Sequence, residues 1–266
     1  MPPLWDQLIH PSPEEGELWE LFHENSKIGR YTEPVAEELV RSQMETLWQV
    51  IPMEHLERIP LPGAGARTVP TLGLDEAILR RATPDNLLPV PVPLATLSSL
   101  LFHAAGVVEG RGQAGRPFRV TPSGGALYPV ELFLHARTVE GLAPGLYHYD
   151  ALAGALNRLP GGDRTAELAS CLVQPALVAD TSIQILSVGI FERSTFKYGN
   201  RGYRFALLEA GHQAQNLSLV ATALGLACVH VGGYRDREVD RLLGLDGLQR
   251  SALYVTCIGA PEAPSL

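Results

Sequence analysis

Between residues 203 and 226, apolar side chains recur at Leu207, Ala210, Ala214, Leu217, Ala221 and Leu224, close to the helical repeat. The opposite side of this predicted helix carries Phe205, Leu208, His212, Gln215, Leu219 and Leu226, and is not charged either. After Glu209 the next charge is Arg235. A helix apolar on nearly every side is buried, in a domain core or in a subunit interface. A membrane span is excluded, because His212, Gln213, Gln215 and Asn216 cluster mid-segment, where lipid would leave them unsatisfied. Gly225 suits a left-handed cap at the helix end. A short apolar run, 227–231, then leads to Gly232-Gly233.

The rest of the chain arranges itself around this element. Residues 1–60 read as mostly helical: 17–22 and 35–50 have helical spacing, with Pro34 near a helix start. Between them, His23-Glu24-Asn25-Ser26-Lys27 reads as a solvated turn. Dense proline and glycine over 59–70 mark a linker, which divides an extension (1–60), a linker (61–73) and a main domain (74–266). In that domain, 74–81 and 94–105 are predicted helices, the second capped by Gly106. The four prolines of 83–93 predict irregular chain, and the glycines of 107–118 a flexible loop. The small residues of 119–129 let the backbone approach a bound group closely with its amides free to donate; a plain tight turn explains them equally well. Strands are predicted at 130–136, 146–149, 155–159, 181–190 and 252–258, and helices at 163–173 and 237–243. Helices and strands mix without a strict alternation, so the class is α+β.

Composition narrows the function. Hydrophobic content of 45% and charge of 19% over 266 residues are those of a globular protein. A net charge of −8 argues against nucleic acid as the main partner. Cys171, Cys228 and Cys257 fit no zinc spacing, and an odd number in apolar stretches reads as reduced thiols in a cytoplasmic protein. Residues 1–6 lack the basic start and apolar core of a secretory signal. No Walker loop or dinucleotide fingerprint is found. Only two lysines, Lys27 and Lys197, stand against nineteen arginines.

A set of motifs appears in order over roughly residues 75–260: Pro122-Ser123-Gly124-Gly125-Ala126-Leu127-Tyr128-Pro129, Pro144-Gly145-Leu146-Tyr147-His148-Tyr149-Asp150, Lys197-Tyr198-Gly199, Tyr203-Arg204, Leu208-Glu209-Ala210-Gly211-His212, Gln215-Asn216-Leu217 and Gly232-Gly233. Together they resemble the SagB/McbC-type dehydrogenases, a branch of the FMN-dependent nitroreductase superfamily. The resemblance implies a three-layer α+β sandwich, homodimeric through a long buried interface helix, with FMN bound between the subunits. It also implies oxidation of thiazoline or oxazoline rings in a precursor peptide to thiazoles or oxazoles, beside a cyclodehydratase, with the flavin reoxidised by oxygen.

Carried over residue by residue, Arg80 and Arg81 match an Arg-Arg-Ser-x-Arg pattern that holds the flavin phosphate, and a guanidinium fork suits that dianion. Ala82 and Pro84 replace two further donors, and Arg235 is a candidate to compensate. Pro122, Ser123, Gly124 and Gly125 match the loop that approaches the flavin from the other subunit, and Gly232 and Gly233 the turn beside its ring. Gln215 and Asn216 either bond polar flavin atoms or satisfy backbone groups inside the interface. Lys197 and Tyr198 match a pair regarded as catalytic. Aromatising an azoline removes a hydride, taken by the flavin, and a carbon-bound proton, which needs a base. An ordinary lysine titrates near about 10.4 and is a poor base at neutral pH, but an apolar pocket lowers that value. Tyr198 would orient or relay the proton. Two other readings compete: an NAD(P)H-dependent reductase of nitro or quinone compounds, and a non-catalytic subunit that docks a peptide or partner.

Overall fold

The computed structural model describes residues 17–30, 34–113 and 116–262. Residues 1–6, read above as lacking a secretory signal, lie outside them. Among the described residues two helices, Leu18–Asn25 and Glu37–Thr46, come first, and neither buries a side chain. The intervening turn is not simply solvated: Ser26 is buried, Arg204 donates to the His23 carbonyl at 2.7 Å, and Asn200 donates to that of Asn25. Next comes β1 (Arg58–Pro60), followed by a helix at Leu74–Arg80 and β2 (Leu87–Leu88). Helix Leu94–Ala105 precedes the hairpin of β3 (Val107–Gln113) and β4 (Arg116–Arg119). Then follow β5 (Val130–Ala136), β6 (Gly145–Asp150), β7 (Ala155–Arg158) and β8 (Ile183–Ile190), with helices Thr165–Cys171 and Ala176–Ala179 before β8. The short helix Glu192–Tyr198 and the long helix Asn200–Ala223 lead to β9 (Ala227–Val231), helix Asp236–Leu243 and β10 (Arg250–Pro261).

One antiparallel sheet runs β1-β7-β6-β5-β8-β10-β2, with β9 also on β10. Every residue of β5 and β8 is buried, as expected of strands covered on both faces. Alternation along β5 sends Leu132, Leu134 and Ala136 to a core with Leu97, Leu101, Leu217 and Ala221, on the side of the two longest helices. Phe133 faces the other core, with Leu168, Val239 and Leu243 from helices Thr165–Cys171 and Asp236–Leu243, and Leu172 just beyond the first of them. Helices therefore cover both faces, and the α+β expectation holds.

Three of the departures from expectation have a local reason. The glycines of 107–118 suggested a loop, yet Gly110 and Gly112 sit in a hairpin whose register shift between Val107 and Gly112 absorbs them, while Gly115 lies outside the described residues. Leu87 and Leu88 lie between prolines but keep their own N–H groups, and pair with Pro261 and Ala260. The long helix starts three residues earlier than predicted and ends at Ala223. Gly225, at φ +75°, then turns the chain so that the Leu226 amide reaches the Ala221 carbonyl at 2.8 Å. No described helix is long and apolar enough to cross a membrane.

Candidate active site

The short helix Glu192–Tyr198 is held from below by charge. Arg193, 2% exposed, pairs with Glu131 on β5 and donates to the Tyr128 carbonyl at 3.3 Å. Glu131 also meets His148 Nε2 at 2.5 Å and accepts the Ile51 amide at 2.8 Å. Burial would raise the Glu131 carboxyl, but the Arg193 charge and the His148 bond outweigh it and hold it down to about 2. One turn beyond Arg193, on the same helix, comes Lys197, half-buried beside Tyr198.

Against this pair rests the loop Ser123–Tyr128. Gly125 has φ +67°, and Ala126 and Tyr128 also have positive φ, costly for side chains with a Cβ. A Cβ on Gly125 would lie 2.5 Å from Tyr198 Oη and 3.4 Å from Lys197 Nζ, so glycine is demanded twice, by conformation and by space. The loop is closed by the Tyr128 amide donating to Ser123 Oγ at 2.9 Å. Lys197, Gly125 and Ala126 line a cavity of about 320 Å³ whose other walls are Arg116 and Phe118 of the hairpin and Met44 of the extension. Arg116 donates to the Met44 carbonyl and ties these walls together. Sequence reasoning missed those three walls and the Glu131–Arg193 pair. The position of Arg193, four residues before Lys197, was the only local signal for it.

Pro122, Ser123 and Gly124 also border a pocket of about 150 Å³ with Phe205, Leu208, Glu209 and His212 of the long helix. Tyr198 packs edge-on against Phe205, ring centroids 4.9 Å apart. The remaining predicted residues lie elsewhere. Gly232 and Gly233 line a cavity of about 260 Å³ with His230, Val173 and Gln174. His230 bonds Ser218 at 2.6 Å and Thr256 at 2.9 Å, and its titration is lowered by burial and by the nearby Arg81 charge. Arg80 instead pairs with Glu76 at 2.5 Å, and Arg235 donates to the Ser170 carbonyl. Asn216 donates to the His103 carbonyl at 2.9 Å, and Gln215 is exposed.

Most of the predicted residues thus form two groups, one at Phe205 and one at Ser218 of the same helix, while Arg80 turns to Glu76 and Gln215 and Asn216 lie in neither pocket. Thirteen residues of helix put them roughly 20 Å apart. Between them the outward face of the helix exposes Leu207 (42%), Leu208 (58%), Gly211 and His212.

The profile described as "Nitroreductase family" matches residues 78–260. MJ1384 of Methanocaldococcus jannaschii, which carries a nitroreductase name, is 35% identical over 170 residues, 64% of this chain and 83% of that protein. The Escherichia coli microcin B17-processing protein McbC is 31% identical over 237 residues, 80% of this chain and 82% of McbC. Among solved structures, a chain of the E. coli microcin synthetase McbBCD complex with truncated pro-MccB17 bound superposes with a TM-score of 0.61. Its identity is 26%, and the match covers 92% of both chains.

Proposed function

The chain belongs to the nitroreductase family, its match covering residues 78–260, and from that premise we propose that it is an FMN-dependent oxidase of azoline rings in a ribosomally made peptide. The observation that carries the reading is the shared wall of Lys197 and Gly125 in a cavity of about 320 Å³. The likeness to McbC and to the McbBCD structure supports a modified peptide as substrate and a synthetase-type assembly as partner.

The residues suit FMN. The turn at Gly232 leaves open space where a Cβ would stand, so backbone can approach a flat ring there. Arg81 supplies a guanidinium for the phosphate, with exposed Arg235 as a second donor. The two groups, roughly 20 Å apart along one helix, face a single cofactor only when a second copy packs across the exposed Leu207–Leu208 face. The proposed enzyme is therefore a homodimer with composite sites.

Bound FMN would accept the hydride and pass its two electrons to oxygen. Lys197 Nζ takes the proton from the ring carbon as the new double bond forms, so the peptide loses two hydrogens. Tyr198 holds the amine's neighbour, the Gly125 turn, in place, and Phe118 and Met44 keep water from the ring. Purified protein incubated with a thiazoline-bearing peptide should lower the peptide mass by two hydrogens without any nicotinamide. Lys197→Ala should abolish that loss while the flavin absorbance stays. Continued turnover in that variant, or a strict need for NAD(P)H, would overturn the assignment.

A further inference from the structure

Two side chains of the long helix grip the backbone of one residue, Val130, one at its amide and one at its carbonyl, and each keeps a second oxygen without a settled donor. Glu209 Oε1 accepts the Val130 amide at 3.2 Å, and Gln213, one turn on, donates to the Val130 carbonyl at 3.4 Å. A carbonyl can only accept, so the Gln213 amide must present its NH₂ there and its oxygen elsewhere. Glu209 Oε2 and Gln213 Oε1 are both buried without a donor in good hydrogen-bond geometry, the Ser123 hydroxyl lying beside Glu209 as its one neighbouring donor. Buried acceptors without donors are costly, and two on adjacent turns of one helix call for a proton. Placed on Glu209, it converts one acceptor into a donor toward Gln213 Oε1 or the neighbouring Ser123 hydroxyl.

From this geometry we infer that Glu209 is a positioning residue that works as the neutral acid, clamping Val130 so that the Ser123–Tyr128 loop stays seated against Tyr198 and Lys197. Val130 opens β5 directly after that loop, so the clamp fixes the loop's trailing end. The inference holds whether or not Lys197 is the base.

The charged groups around Glu209 decide how firmly it keeps the proton. Arg119 on β4 and Arg193 on the short helix favour the carboxylate, as does the Ser123 hydroxyl; burial opposes them and pushes the group up to about 7. Both arginines have other partners: Arg193 pairs with Glu131, and Arg119 donates to the Gln49 carbonyl at 2.6 Å. His212 shares the pocket but is exposed. Between its ordinary 4.5 and about 7, folded Glu209 keeps a proton that the unfolded chain has lost. Its stabilising contribution is therefore complete in acid and disappears as pH rises through that window. Above it, the bare carboxylate draws water through the pocket of about 150 Å³ and loosens the loop.

The test compares the wild type with Glu209→Gln and Glu209→Ala, reading Tm and hydrogen exchange of the 123–128 amides from about pH 5 to about pH 8.5. Glutamine keeps the clamp at every pH, accepting from Val130 and donating to Gln213. The Tm difference between the Gln variant and wild type should widen up to about pH 7 and then level. Loop exchange in the wild type should rise several-fold over the Gln variant above that point, while the Ala variant loses loop protection throughout. A Tm difference flat with pH, or a constant exchange ratio, would overturn the inference. Should neither variant fold, the wild-type exchange profile, corrected for base catalysis, must still bend upward near pH 7, and a straight profile overturns it.

Discussion

Arg193→Met tests what holds the helix that carries Lys197. The substitution keeps an apolar stem but leaves Glu131 buried with only His148 and the Ile51 amide, and strips the Tyr128 carbonyl of its donor. Removing one partner of a buried ion pair costs about 3–5 kcal/mol, because the other charge stays behind. At about 2–4 °C per kcal/mol for a chain of this size, Tm should fall by roughly 6–20 °C at neutral pH. The pH dependence is the sharper measure. Burial alone would raise Glu131; Arg193 and His148 depress it to about 2, so the pair's contribution is present above the ordinary 4.5 and is lost as pH falls toward about 2. The gap between wild type and variant should therefore narrow in melts from about pH 5 to about pH 3. Glu131→Gln added to Arg193→Met removes the stranded carboxylate and should recover part of the loss. A fall of less than about 2 °C, or a gap that ignores acid, would refute the idea that this pair anchors the helix.

Two further substitutions probe the loop and the proposed subunit contact. Ala126→Gly relieves a residue held at φ +53° and should stabilise the protein by about 0.5–1 kcal/mol, since the strain released exceeds the extra freedom of the unfolded chain; urea midpoints at constant slope measure it. Leu208→Asp places a charge on a side chain 58% exposed in the single chain. Light scattering should show the wild type at twice 28.8 kDa and the variant at the single mass, with flavin lost and the isolated fold intact; a dimeric variant moves the interface elsewhere.

What could be read in advance depended on how local its cause was. The long helix and the buried strand β8 announce themselves because each carries a complete apolar pattern within its own span. The hairpin of β3 and β4 escaped because Gly110 and Gly112 belong to a register shift, and only the partner strand reveals one. Lys197 and the Ser-Gly-Gly turn were named through resemblance, but their apposition is a property of the fold, since Gly125 and Tyr198 are far apart along the chain. The charges follow the same division. Glu209 was visible as the last charge before a long neutral stretch, yet its meaning depends on Val130, Gln213 and a loop far upstream. Arg193 looked like any arginine after a strand until β5 brought Glu131 beneath it. Hydrophobic spacing dictates which surfaces must meet. The polar side chains trapped where those surfaces close then acquire chemistry that none has alone: Glu209 on the long helix and Glu131 on β5 meet at adjacent positions of one strand, and burial acts on both, but only at Glu131 do the Arg193 charge and the His148 bond outweigh it.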